Sequence, residues 1–133
     1  MANNRKTKML DIKEGFLKLP GISKQLPKES ICPVPHVGVI GRRFSIVPMK
    51  DAEDPENDGR TYMQQQLIQY RPHEGISHTK DTVLHEILHA IDESLGCGMT
   101  EAQVAVMTTG IIAVLKTNPE LTSWILKEDS NEK

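Results

Sequence analysis

The chain has 133 residues, enough for one hydrophobic core and too few for two. Its 38% hydrophobic and 26% charged residues are globular in balance, and aromatics at 4% leave the core to Leu, Ile, Val and Met. A net charge of −2 argues against a general nucleic-acid binder, and the longest aliphatic run, IIAVL at 111–115, is too short to cross a bilayer.

Residues 1–35 read as a basic arm and connector. The first thirty carry seven Lys and Arg against three acids. Such an arm is either a solvated tail or a contact for an acidic partner. Asp11, Lys13 and Glu14 interrupt any apolar stretch at the start, so no signal peptide is expected. Two cysteines, Cys32 and Cys97, make no disulfide framework. Free thiols in a reducing cytoplasm are the expectation. MLDIKEGFLKL at 9–19 has a helical apolar pattern weakened by Gly15. Prolines at 20, 27, 33 and 35 then punctuate an extended connector.

A folded domain is expected over residues 36–127, followed by a polar tail at 128–133. VGVI (37–40) and RFSIVPM (43–49) predict two strands with a turn at Gly41. His36 reads as a loop residue. DAEDPENDG (51–59) predicts an acidic loop. RTYMQQQLIQYR (60–71) predicts either one strand or two short ones split at the glutamines. As one strand it would put Thr61, Met63 and Leu67 on one face, and Tyr62, Ile68 and Tyr70 on the other. PHEGISH (72–78) predicts a loop.

From Thr79 the period becomes helical. Leu84, Ile87, Leu88, Ile91 and Leu95 form one apolar stripe, and Gly96 and Gly98 end the helix. Thr100 and Gln103 have the spacing of a capping box opening the next helix, whose stripe is Val104, Met107, Ile111 and Leu115. Asn118-Pro119 predicts a stop and restart, with Asn118 as N-cap and Pro119 in the first turn. Leu121, Trp124 and Ile125 are expected to be the buried side of this last helix. Strands followed by three helices predict an α+β domain with helices on one face of a short twisted sheet.

The chemistry is concentrated in His85-Glu86-Ile87-Leu88-His89. Residues four apart share a helix face, so His85 and His89 can converge on one cation. Glu86 lies beside that face, where its carboxylate can act on water without being a ligand. The bland alternative is a pair of histidines at helical spacing. A third ligand is needed. Glu101 stands in the first turn of the next helix, which can fold back toward the histidines. Its other reading is an acid that suits a helix N-terminus. Asp92 reads either as a partner supporting the histidines or as a surface acid, and Glu120 as helix-start chemistry. A donor for the developing oxyanion is also required, and Tyr62, Tyr70, His73 and His78 are candidates by placement. Cys97 reads as a small turn residue or a redox-sensitive thiol.

Residues 82–121, TVLHEILHAIDESLGCGMTEAQVAVMTTGIIAVLKTNPEL, resemble the C-terminal half of small gluzincin-type metallopeptidases of bacteriophages and prophages. These are related in pattern to the ImmA/IrrE-type peptidases. The shared layout is an HExxH helix, a glycine turn, a glutamate-led helix and an Asn-Pro helix. The strand region at 44–70 agrees only in rhythm, and residues 1–36 do not match. The resemblance implies a small zincin-like domain with an edge strand beside the metal helix. It also implies one Zn²⁺ held by His85, His89 and Glu101, with Glu86 as catalytic base. Two neighbouring classes do not fit. The metzincin pattern needs Gly and His where the chain has Asp92 and Leu95. Peptide deformylase needs its cysteine in another context than the Ser-Ile-Cys-Pro-Val around Cys32.

The expected activity is zinc-dependent hydrolysis of a peptide or protein substrate in a bacterial host cytosol, with no nucleic-acid or membrane partner. The alternative is a non-catalytic, metal-stabilised binding, regulatory or virion-associated protein. YMQQQLIQY would suit an exposed sheet edge that accepts a substrate strand, or an ordinary half-buried strand.

Overall fold

The computed structural model describes residues 31–50, 55–72 and 75–129. The expected helix at 9–19, most of the basic arm, His73, the acidic residues 51–54 and the last four residues lie outside this range.

Among the described residues four strands and three helices make an α+β architecture: β1 (His36–Val39), β2 (Arg42–Pro48), β3 (Gly59–Tyr62), β4 (Leu67–Tyr70), α1 (Ile76–Leu95), α2 (Glu101–Thr117) and α3 (Pro119–Leu126). The sheet order is β1-β2-β4-β3. β1 and β2 form a hairpin closed by Ile40 and Gly41, both at positive φ (46° and 78°). Two such residues match the right-handed twist of the flanking strands. His36 opens β1 rather than lying in a loop, and it is exposed.

The glutamine stretch does split the second strand region. Residues 63–66 form a turn, with Gln66 at φ 52°. The Gln66 side chain donates to the Arg43 carbonyl at 2.7 Å, and the Gln66 backbone carbonyl accepts from the Ser45 amide at 3.0 Å. This turn fastens the β3–β4 hairpin to β2. β4 then lies between β2, to which it is parallel, and β3, to which it is antiparallel. Among the described strands β3 is a sheet edge.

The turn also changes which residues share a face. Thr61 pairs with Ile68 and Gly59 with Tyr70. Paired residues point to the same side of a sheet. Thr61 and Gly59 therefore share the inner face with Ile68 and Tyr70, while Tyr62, paired with Leu67, points outward. A single continuous strand would have separated Thr61 from Ile68.

The core lies between this inner face and α1. Phe44, Ile68 and Ala90 are fully buried with Val39, and Val37, Met63, Ile87 and Ile91 pack around them. Ala90 has no side chain beyond Cβ, so the helix approaches the strands closely there. α1 starts three residues before Thr79, because Ser77 and His78 carry no apolar signal although they complete the first turn. Its most buried line is Thr79, Thr82, Glu86 and Ala90, not the aliphatic stripe. Of that stripe Leu95 is exposed and the rest half-buried.

Among the described helices only α1 covers the sheet. α2 packs on α1, and α3 packs on α2. The expectation that all the helices share the sheet face therefore fails for α2 and α3. Val104 and Thr108 are the buried residues of α2, whereas Met107 and Leu115 are exposed. α3 buries nothing: Leu121, Trp124 and Ile125 face solvent instead of a core. Asn118 does not cap α3 with its side chain. Its amide donates instead to the Val114 carbonyl at 3.0 Å, closing the end of α2. Among the described residues no helix is long and apolar enough to cross a membrane.

Candidate metal centre

α1 presents His85 and His89 one turn apart. Their rings meet edge to face with centroids 4.8 Å apart, and their Nε2 atoms are 3.1 Å from each other. One carboxylate oxygen of Glu86 lies with one nitrogen of each ring inside a sphere of contacts no longer than 4.8 Å. These three residues form a group that can hold a metal ion.

Glu101 completes the cluster from α2. One of its carboxylate oxygens is 2.7 Å from His85 Nε2, and the other is 3.0 Å from His89 Nε2. Local chemistry aims it there. α1 ends at Gly96 in the left-handed region, φ 67°, with the Gly96 and Cys97 amides both donating to the Asp92 carbonyl. Gly98 is left-handed as well, φ 72°. A residue with a Cβ resists that conformation, so the glycines permit the reversal. Thr100 then caps α2. Its hydroxyl accepts from the Gln103 amide at 3.1 Å, while the Gln103 side chain accepts from the Thr100 amide at 2.8 Å. Glu101 follows as the first helical residue. Val104, fully buried one turn later, belongs to the α1–α2 contact.

Glu86 differs from the other three. It is 6% exposed and turned toward the sheet. The Thr61 hydroxyl lies 2.7 Å from its Oε1 and 2.9 Å from its backbone carbonyl, and donates to this residue. Gly59 lies against it as well: a Cβ there would stand 2.8 Å from Glu86 Cγ and 2.9 Å from Oε2. Burial pushes the Glu86 carboxyl above the usual carboxylate range. The Thr61 hydrogen bond and the two histidines oppose that rise, and Glu101 adds to it.

Two clefts flank the cluster. One of about 320 Å³ reaches along α1 and α2 past Asp58, His78, Asp81, Thr82 and Thr108. The other, about 410 Å³, follows the β3 edge past Arg60, Thr61 and Met63 to Glu93. Both are lined by Gly59, Glu86 and Glu101.

The four candidate donors separate. His78 lines the first cleft, with its Nε2 3.9 Å from Asp58 Oδ2. Tyr62 is on the far side of the sheet. Tyr70 is 1% exposed, and its hydroxyl accepts from the Cys32 amide at 2.9 Å, so it is spent on the connector. Burial raises its pKa. His73 is outside the described residues. Asp92 is not a surface acid. It is buried, and its carboxylate accepts from the Met99 amide at 3.1 Å. It therefore braces the turn that carries Glu101. Cys97 is an exposed turn residue and Cys32 is half-buried, and both thiols are free.

Sequence reasoning missed Thr61 and Gly59. The only signal for Thr61 was the turn at 63–66, which changes the face it shares.

No protein-family model matches the chain, and searches of curated proteins and of solved structures find no match. The resemblance over residues 82–121 therefore stands on its motif residues alone.

Proposed function

We propose that the chain is a zinc-dependent peptidase of the gluzincin pattern, with the metal held by His85, His89 and Glu101 and with Glu86 as general base. The observation that carries this reading is the division of labour between two glutamates. Glu101 spans both ring nitrogens at 2.7 and 3.0 Å, whereas Glu86 is buried and bonded to Thr61.

The donor set fits the ion. Two neutral imidazoles and a carboxylate are a common catalytic zinc set, and bonds of about 2.0–2.1 Å place neighbouring ligand atoms about 3.3 Å apart. The three contacts here, 2.7, 3.0 and 3.1 Å, are shorter than that by between about 0.2 and 0.6 Å. Two histidines and a carboxylate also accept other divalent ions, and zinc is proposed on the strength of the motif.

When bound, zinc makes water acidic enough to attack at neutral pH and polarises the scissile carbonyl. The chain supplies the rest. Glu86 takes the proton from the attacking water and delivers it to the leaving amine. The β3 edge offers backbone groups to an extended peptide, and the cleft along it leads from Arg60 to Glu86. His78, at the other cleft, is the remaining described candidate for the oxyanion donor.

A second reading draws on the exposed apolar residues Val106, Trp124 and Leu126. A surface of this kind suits a binding module that keeps the metal for stability alone. Metal content and turnover separate the two. Elemental analysis should find about one zinc per chain, lost or strongly weakened in His89→Ala and Glu101→Ala. A peptidase loses turnover in Glu86→Gln while keeping its zinc. A wild type that takes up no metal at neutral pH removes both readings.

A further inference from the structure

Glu86 has two roles within reach. Its carboxylate is close enough to the ring nitrogens, all within 4.8 Å, to join the histidines as a ligand. A base that acts on water must stay out of the ligand set, or it takes the position that water needs. What holds Glu86 back is on the strand, not on its own helix. Thr61 donates to its carboxylate at 2.7 Å and lies 2.9 Å from its carbonyl, so the hydroxyl is referenced to the helix backbone as well as to the side chain. Gly59, two residues earlier on the same face of β3, leaves just enough room for the carboxylate to lie against the strand. A Cβ there would also come within 3.0 Å of Thr82.

We infer that Thr61, with Gly59 beside it, is a positioning residue that holds Glu86 against the sheet edge and keeps it out of the metal's ligand set. The inference rests on the zinc-site reading above and deepens it. Thr61→Val removes the donor and keeps the shape. Gly59→Ala keeps the donor and presses Glu86 away from the strand. Both release the carboxylate toward the histidines, by different means.

The test uses the metal-free full chain titrated with Co²⁺, whose visible absorption changes with the identity and geometry of its ligands. Wild type, Thr61→Val, Thr61→Ser and Gly59→Ala are compared, with circular dichroism confirming the fold of each. The expected result is a shifted Co²⁺ spectrum in Thr61→Val and Gly59→Ala, as a carboxylate replaces water among the ligands, with Thr61→Ser returning to the wild-type spectrum. In a Glu86→Ala background, Thr61→Val is expected to leave the spectrum unchanged, because the released ligand is gone. With zinc and a peptide substrate, turnover of Thr61→Val should fall about 10- to 100-fold, the usual cost of losing an outer hydrogen bond at a metal site.

A folded Thr61→Val that binds Co²⁺ with the wild-type spectrum overturns the inference and leaves the zinc site standing. So does a spectral change that persists in the Glu86→Ala background. If Thr61→Val does not fold, Gly59→Ala decides by the same criterion. Failure of the wild type to bind Co²⁺ or Zn²⁺ is a separate outcome, and it overturns the zinc-site reading itself.

Discussion

The Asp92 carboxylate accepts a hydrogen bond from the Met99 amide at 3.1 Å, seven residues away, across the turn between α1 and α2. Asp92 is buried, so this acceptor cannot be replaced freely by water. It ties the end of the helix that carries the histidines to the start of the helix that carries Glu101. Asp92→Ala leaves the Met99 amide without its partner. The expected cost is about 1–3 kcal/mol in chemical denaturation, together with weaker metal uptake, although Asp92 bonds to the Met99 amide and not to a histidine. Asp92→Asn keeps an acceptor oxygen and should retain most of both. Wild-type metal affinity in Asp92→Ala would show that the turn does not set the position of Glu101.

Metal binding should appear as stability. A ligand that binds only the folded chain adds about 2.7 kcal/mol at one hundred times its Kd. Zinc at that concentration should raise the thermal midpoint of the wild type. His89→Ala and Glu101→Ala should show no such gain, and Glu86→Gln should show it in full. A loss of the gain in Glu86→Gln would mean that Glu86 is itself a ligand.

Tyr70 predicts a pH dependence with a definite sign. Burial raises its pKa in the folded chain, while the unfolded chain titrates near the ordinary value of about 10. Above that value the unfolded state has released a proton that the folded state still holds. The contribution is therefore complete below about pH 10 and is lost as pH rises through the folded value. Denaturation between pH 9 and 11 should show stability falling with pH, and Tyr70→Phe should reduce that slope. An unchanged slope would mean that another group carries it.

Trp124 is the only tryptophan and is 72% exposed, and Leu126 at the end of the same helix is 76% exposed. Its fluorescence should be red-shifted in the native protein and readily quenched by acrylamide. Trp124→Ser should change stability by no more than about 0.5 kcal/mol, as surface substitutions usually do. Blue-shifted, protected emission would mean that another surface covers α3 in solution.

The local features were legible in the sequence. The four-residue spacing of His85 and His89 puts them on one helix face whatever surrounds them. The Thr100–Gln103 capping box and the Gly96–Gly98 reversal place Glu101 at a helix start. Helical period and cap chemistry act over a few residues, so one chain is enough to read them. The last helix shows where that reading stops. Leu121, Trp124 and Ile125 have the spacing of a buried face, but periodicity states only that a face exists, not that anything covers it.

The tertiary structure decided what the candidate site residues touch. Tyr70 and His78 were equal candidates by placement. One is buried beneath the connector at Cys32, and the other lines the cleft. Asp92 was undecided until the turn folded over it. Thr61 and Gly59 carry no motif, and they reach Glu86 because a four-residue turn pairs Thr61 with Ile68 and because β4 passes between β2 and β3. Register and strand order are long-range choices, set by which arrangement buries Phe44, Ile68 and Ala90 together. The sequence by itself determined the helix that bears His85, Glu86 and His89. The sheet that packed against it determined that Glu86 lies bonded to a strand, and the packing of α2 on α1 determined that Glu101 faces the histidines.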